Sequence, residues 1–390
     1  MKKILFLLVL GLLLCVRVEV AAQEEKTWNL EENRRDYDIN ITEMGEMDTK
    51  ELLSNVLENP YLIDLLAYDD FSVALSNLID EYHSIKELYE RDDLIYAFMN
   101  QHSKMSKNKL EVKVIFTNLL ISYPVFLEKC DDIQKNLLKN LIISNTNEYL
   151  EKNSIMDYSV RVASSRFDME PFESTHTNCE YSTTVYTYSG SSVQLCIVLD
   201  AHDGSTAINL QNMVRECYPN AITLELPSLQ YNCHSFAWHF GSQSNLTNNR
   251  GVIHGPSIYI SDESYTEEQV ENLVTNDTYK VAYMQGGSLT HSGVIESYNN
   301  NEIEVISKWG VLGLYRHKID ETPYYNCTYK FYKHSNHTYY MFTANANGLT
   351  HKSTCRCTYT CNQPHEYVLI NGNYECSKCH YIFQSIRGGN

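Results

Sequence analysis

The hydrophobic period changes once along this chain, and the change restricts the folds open to it. From Asp48 to about Asn153 apolar residues recur at spacings of three and four, as at Leu75, Leu78, Ile79 and Tyr82. That is the period of helices with one buried face. "ELLSNVLENP" stops at Pro60, while "KLEVKVIFTNLLISYP" and "FLEKCDDIQKNLLKNLIIS" continue the pattern. The period breaks between Arg161 and Asn178. Beyond it, "STTVYTYSGSSVQLCIVLD" predicts a hairpin turning at Ser189-Gly190, and "STAINLQNMVRECY" predicts a helix. Strands are expected at "TYKVAYM", "SGVIES", "NEIEVIS" and "LGLYRH", with "YKFYKH" as a last one. Helices followed by a strand meander make an α+β protein. No internal repeat is present.

The two ends read differently. Lys2 and Lys3 precede an apolar run from Ile4 to Cys15, and Ala21-Ala22 precede Gln23, the pattern of a cleaved secretory signal over residues 1–22. The expected location is therefore secreted or cell-surface, with the membrane met only transiently through this leader. Residues 23–47 are charged and lack a periodic apolar stripe, as expected of a spacer. With 49 acidic against 31 basic side chains the net charge is −18, which repels nucleic-acid phosphates and excludes nucleic acid as the main partner. The charges are silent on oligomeric state.

Of twelve cysteines one, Cys15, lies in the leader, so an odd number remains and complete internal pairing is impossible. Cys130, Cys179, Cys196 and Cys217 are scattered singly and read as buried thiols. Cys233 and Cys327 also stand apart, and residues 351–384 hold the other five: a CxC, Cys361 and the CxxC of Cys376 and Cys379, with His365, around the hairpin "YVLINGNYEC". Two chelating pairs about a hairpin are expected to form a zinc-ribbon-like module with a structural zinc on Cys357, His365, Cys376 and Cys379, Cys355 and Cys361 being alternates. Disulfides among these cysteines are the competing reading, as export favours them.

"YNCHSFAW", residues 231–238, carries the candidate chemistry. With Asn232 capping a helix that Gly241 ends, Cys233 falls at the first helical position, where free amides and the helix dipole favour a thiolate. Phe236 and Phe240, four apart, anchor that helix. His291 opens the strand "HSGVIES" after "GGSLT", and Ser307 and Lys308 end the next strand ahead of Trp309. A three-residue turn at Asn299–Asn301 sets His291 opposite Trp309 with Ser307 diagonal on the same face; a two-residue turn sets Lys308 there instead. His234 and His239, five apart, do not share a helix face and are not read as zinc ligands. "AHDGS" at residues 201–205 is expected to make a turn. The helical segment holds no cluster of chemical side chains and reads as a packing or adaptor domain.

A cysteine opening a helix, a histidine on a later strand and a polar residue on the next is the order of papain-like cysteine hydrolases. "NCHSFAW" resembles the polar-Cys-x-small-Phe stretch of NlpC-type peptidases, "HSGVI" their histidine strand, and "SKWG" the Asn-Ser-Trp-Gly of papain, with Ser307 in place of asparagine. The resemblance covers about residues 175 to 335 and extends to CHAP-type amidases. It implies a secreted peptidase or amidase of bacterial type acting on a peptide or peptidoglycan-like amide. Cys233 is then the nucleophile, His291 its base, Ser307 the orienting residue and Gln230 an oxyanion donor, and catalysis needs no cofactor. Two alternatives stay open: an inactive binding or adhesion protein of the same fold, favoured by Ser307, and a thiol acyltransferase, disfavoured by the order of cysteine and histidine. The expected organisation is a leader (1–22), a spacer (23–47), an all-α domain (48–160), a papain-like α+β domain with the cysteine helix packed on an antiparallel sheet (175–335), and the zinc-ribbon-like module (351–384).

Overall fold

The computed structural model describes residues 28–104, 112–146, 179, 181–198, 201–240, 251–273, 279–299, 302–334, 339–345, 349–355, 360–370 and 373–382. The expected leader and Cys357 lie outside the described residues.

The N-terminal half is helical, as its period requires. Helices Leu30–Asp36, Ile41–Glu46, Thr49–Val56, Phe71–Glu81, His83–Glu90, Leu94–Lys104, Val112–Ile121, Pro124–Glu128 and Asp132–Thr146 succeed one another, with a 3-10 turn at Pro60–Leu66. Asn29, Asn40, Asp48, Asn59 and Asp70 each accept a first-turn amide, a cap that contributes about 1 kcal/mol. The first two helices fall in the stretch expected to be a spacer. Met44 is buried in the core, with Leu30, Ile39 and Met47 packed against it. Arg34 is buried as well, donating to Asp64 at 2.9 Å and to the Tyr218 hydroxyl at 2.8 Å while its guanidinium lies 3.9 Å over Tyr325. These few apolar contacts and a buried ion pair, which make no periodic pattern, fix the segment.

Strands β1 (Tyr181–Tyr186) and β2 (Ser192–Ile197) form the expected hairpin, with Gly190 at φ 93° in its turn. The helix Gly204–Cys217 follows, capped by Asp203, whose carboxylate accepts the Ser205 and Thr206 amides. "AHDGS" is thus a capping turn. Strands β3 (Ile222–Glu225), β4 (Tyr265–Glu268), β5 (Tyr279–Gln285), β6 (Ser288–Asn299), β7 (Glu302–Lys308), β8 (Leu314–Lys318) and β9 (Thr328–His334) build one sheet in the order β3-β8-β7-β6-β5-β9-β4. Every adjacent pair in it is antiparallel. The chain is therefore α+β with antiparallel sheets. Beyond it, β10 (Tyr339–Ala344), β11 (Thr350–Cys355) and β12 (Thr360–Pro364) form a three-stranded sheet, and β13 (Tyr367–Ile370) and β14 (Asn373–Cys376) a hairpin.

Alternation along the strands gives the sheet two apolar faces. Val281, Tyr283, Ile295 and Val305 share a core with Leu52, Leu66, Leu75 and Leu120 of the helical half. Ala282, Val294 and Tyr332 share the other with Phe236, Ala237 and Trp238 of the cysteine helix. The sheet thus lies between the N-terminal helices and the helix that Cys233 opens, and the first core is continuous across both halves of the chain.

The β6–β7 register follows the expected three-residue-turn count beside the site but not at the turn, and the alternative that sets Lys308 opposite His291 is not found among the described residues. Asn299 pairs with Glu302 and Ser297 with Glu304, as a two-residue turn demands. A bulge between Ile295 and Ser297 then shifts the ladder, so that Ile295 meets Val305 and Val294 meets Ile306, the register of the three-residue turn. Glu296 is the inserted residue. Gly293 accordingly lies against Val305 and Ser307, leaving no room for a Cβ.

Candidate functional site

Asn232 caps the cysteine helix as its sequence implies. Its Oδ1 accepts the Ser235 amide at 3.0 Å, its own amide donates to Ser235 Oγ at 3.3 Å, and its Nδ2 donates to Ile253 O at 2.9 Å and to Asp69 Oδ2 at 2.8 Å. Cys233 and His234 are α-helical, and from Ser235 to Phe240 the helix widens to π geometry. The β6–β7 ladder stops at the Val294–Ile306 pair. Beyond its end the Ser292 amide is directed at Cys233 Sγ.

The environment of that sulfur departs from the expected thiolate. Cys233 is 2% exposed, and burial, reinforced by the nearby Asp69 carboxylate, pushes its thiol well above the ordinary range. The Ser292 and His234 amides and the Lys308 ammonium act in the opposite direction and are outweighed. Desolvation defeats the helix start. Cys233 rests as a neutral thiol.

His291 stands inside β6 rather than at its opening, because Gly286 and Gly287, both at positive φ, turn the chain tightly enough to pair Gln285 with Ser288. Its side chain enters the first core opposite Tyr283, fully buried, and neither ring nitrogen has a hydrogen-bond partner among the described residues. Burial, then the charges of His317 and His234, drive its pKa well below the ordinary histidine value, with Asp69 opposing them. Tyr324 lies flat on this imidazole, centroids 3.6 Å apart, and is near enough to Cys233 for the sulfur's charge to act on its own ionisation. Cys233 and His291 thus share one buried neighbourhood, with no hydrogen bond between them among those described.

The expected orienting role of Ser307 is not what the structure presents. His317 Nδ1 lies 2.7 Å from the Lys318 carbonyl, which can only accept, so the ring proton sits there and Nε2 is an acceptor. Ser307 Oγ, 2.7 Å from that Nε2, donates to it and accepts Trp309 Nε1 at 3.0 Å. Its hydroxyl is committed to His317, a residue on β8 to which no motif in the sequence points. Lys308 is equally committed. Its buried ammonium donates to the carbonyls of Ser228 at 2.8 Å, Gly310 at 2.5 Å and Leu312 at 2.6 Å, stapling the approach to Cys233 onto the β7–β8 turn. Gln230 is half-buried nearby, its backbone N–H donating to Ser228 Oγ at 3.2 Å.

His234 and Trp238 converge on Ser292 Oγ at 3.0 and 2.8 Å, and His239 Nδ1 lies 3.3 Å from the Tyr259 hydroxyl. These are packing contacts. The hairpin of β1 and β2 brings Cys179 to Cys196 as a disulfide with Cα atoms 5.2 Å apart, so those two are not the isolated thiols expected from their spacing. Cys130 and Cys217 are buried free thiols.

Asp69 is the site residue that sequence reasoning misses. Its helical half shows no chemical cluster, yet "AYDDFS" holds a signal: Asp70 is accounted for as a helix cap and Asp69 is not.

In the tail, His351, His365, Cys376 and Cys379 bring one donor atom each to within 4.8 Å of one another, a group that could hold a metal ion. His351 Nδ1 and His365 Nδ1 are 3.4 Å apart, Cys376 Sγ is 3.6 Å from His351 Nδ1, and Cys379 Sγ is 3.3 Å from His365 Nδ1. Although burial works against it, amide hydrogen bonds from Cys379 and Lys378 help hold the Cys376 thiol down at about 6. Three of the expected ligands are in this group. His351, delivered by β11, completes the described group, while Cys357 lies outside the described residues.

No family model, curated protein or solved structure matches this chain.

Proposed function

We propose that the chain is a cysteine hydrolase of papain-like order in which Cys233 attacks an amide carbonyl and His291 serves as its base, secreted and acting on a peptide or peptidoglycan-like amide. The observation that carries this reading is a fully buried imidazole with two unpartnered nitrogens, one residue from the amide that points at the sulfur. Burying an unsatisfied polar group costs about 1–3 kcal/mol. Packing alone gives no return for that cost, whereas a base awaiting a proton does. In the reaction the thiol proton passes to His291, the sulfur forms a thioester with the acyl group, and the amine leaves with the proton before water releases the acid. The Cys179–Cys196 disulfide supports export.

The depth of the pair means that a substrate reaches it only after the cover moves. Replacing Cys233 or His291 by alanine should abolish amide hydrolysis to the same extent, measured as amine release from peptidoglycan fragments and peptides, with melting curves to confirm folding. Turnover that survives His291→Ala would remove the mechanism. The binding-only reading is favoured by Ser307, whose hydroxyl serves His317 and leaves His291 without an orienting partner. Absence of turnover on every amide tried would select it.

For the tail we infer a structural zinc. A tetrahedral ion about 2.0–2.1 Å from nitrogen and about 2.3 Å from sulfur sets donor edges of about 3.3–3.8 Å. The separations among the tail donors, 3.4, 3.6 and 3.3 Å, fall in that range. Metal analysis of the purified protein tests this, and stoichiometric disulfides among the tail cysteines with no metal would refute it.

A further inference from the structure

Asp69 comes from the half of the chain that carries no other chemistry, in the turn between Pro60–Leu66 and Phe71–Glu81. That turn is held against the site. Leu66 O accepts the Val311 amide at 3.1 Å, Ala67 O accepts the Tyr324 hydroxyl, and Gly310, at φ 46°, leaves no space for a Cβ against Leu66 and Ala67. The Asp69 carboxylate accepts Asn232 Nδ2 at 2.8 Å and offers an oxygen within 4.8 Å of Cys233 Sγ and of a His234 ring nitrogen.

We propose that Asp69 is a positioning residue of the Cys233–His291 site, lent by the helical half, which anchors the cysteine turn through Asn232 and sets the charge that sulfur and imidazole experience. This rests on the reading of that pair as a working site. A negative charge beside both groups acts on them in opposite senses, opposing thiolate and favouring imidazolium. Asp69 thereby keeps the proton on sulfur at rest and stabilises it on His291 once transferred. The other charged or titratable groups facing Cys233 are Lys308, Tyr324 and His234, and those facing His291 are His317, His234, Tyr283 and Tyr324. Among the described residues named as facing the pair, Asp69 is the one carboxylate.

The test is the pH profile of Cys233 alkylation by iodoacetamide in the full chain, followed by mass spectrometry. Asp69→Asn keeps an acceptor for Asn232 and removes the charge. Its profile should move to lower pH, with labelling about tenfold faster at a fixed pH on the rising limb. Asp69→Glu should restore the original profile. A superimposable Asp69→Asn profile overturns the proposal, and so does a parallel rise at Cys130 and Cys217, which would mean general opening. If Asp69→Asn does not fold, Asp69→Ser is measured against Asp69→Glu on the same criterion. Because labelling needs no turnover, an inactive protein would sink the hydrolase reading while leaving this outcome readable.

Discussion

The imidazole of His291 and the phenol of Tyr324 are stacked with centroids 3.6 Å apart and planes 10° from parallel, and the same phenol donates its hydroxyl to Ala67 O. Tyr324 therefore couples the His291 imidazole on β6 to the turn that carries Asp69. Tyr324→Phe keeps the stack and loses one buried hydrogen bond, for an expected cost of about 1 kcal/mol. Tyr324→Ala removes the wall as well and should cost about 3–5 kcal/mol. Denaturant unfolding separates the two. Faster Cys233 alkylation is expected in the alanine variant, since the cover over the pair is lost.

Lys308 is the second element of that cover. Its three ammonium protons are used on three carbonyls of the segments flanking the site. Lys308→Met fits the space but orphans all three acceptors, so a loss of about 3 kcal/mol or more is expected. A chemical melt within error of wild type would show that these carbonyls find other partners.

Much of this site is legible locally, and the remainder is not, for a physical reason. Asn232 and Asp203 act within three residues of themselves, so capping logic finds them. Strands β1, β2, β5 to β9 and the β13–β14 hairpin follow from alternation and turn residues, whereas β3, β4, β10, β11 and β12 carry no such signal. The pairing of Ser307 with His317 depends on β8 lying beside β7, and the arrival of Asp69 at Cys233 depends on a packing of two halves of the chain. No spacing encodes either. The β6–β7 register escapes simple counting for a similar reason: the turn and the ladder obey different counts, and the bulge at Glu296 reconciles them.

The pH dependence of stability has a definite sign. Burial holds His317, His239 and His202 down at about 4, against an ordinary value of 6.5. Between those values the unfolded chain binds protons that the folded chain does not, so stability is present above pH 6.5 and falls as the pH drops toward 4. Lys280, buried and lowered to about 7 from 10.5, acts in the same sense at higher pH: stability rises from about pH 7 by about 1.4 kcal/mol per pH unit until about pH 9, above which the raised buried thiols of Cys130, Cys217 and Cys233 act against it. Lys280→Met should flatten the upper limb and leave the lower one. Urea unfolding at a series of pH values measures both.

The ligand set of the tail can be decided by two substitutions. His351 and Cys357 are alternatives for one coordination position, the first placed there by β11 and the second suggested by the spacing of the CxC. Four donors converging this closely make a complete set for a tetrahedral ion, so removing one leaves a three-donor site open to solvent. His351→Ala should therefore release most of the metal, whereas Cys357→Ser should retain it at full stoichiometry. Loss of metal on chelation should uncouple β13 and β14 from β11, seen as a gain in amide exchange over residues 365–379, because binding and folding energy are one quantity in so small a module. The main sheet has its own cores, and its thermal transition is expected to stay in place. The reverse outcome, metal retained in His351→Ala and lost in Cys357→Ser, would restore the ligand set that the spacing alone implies.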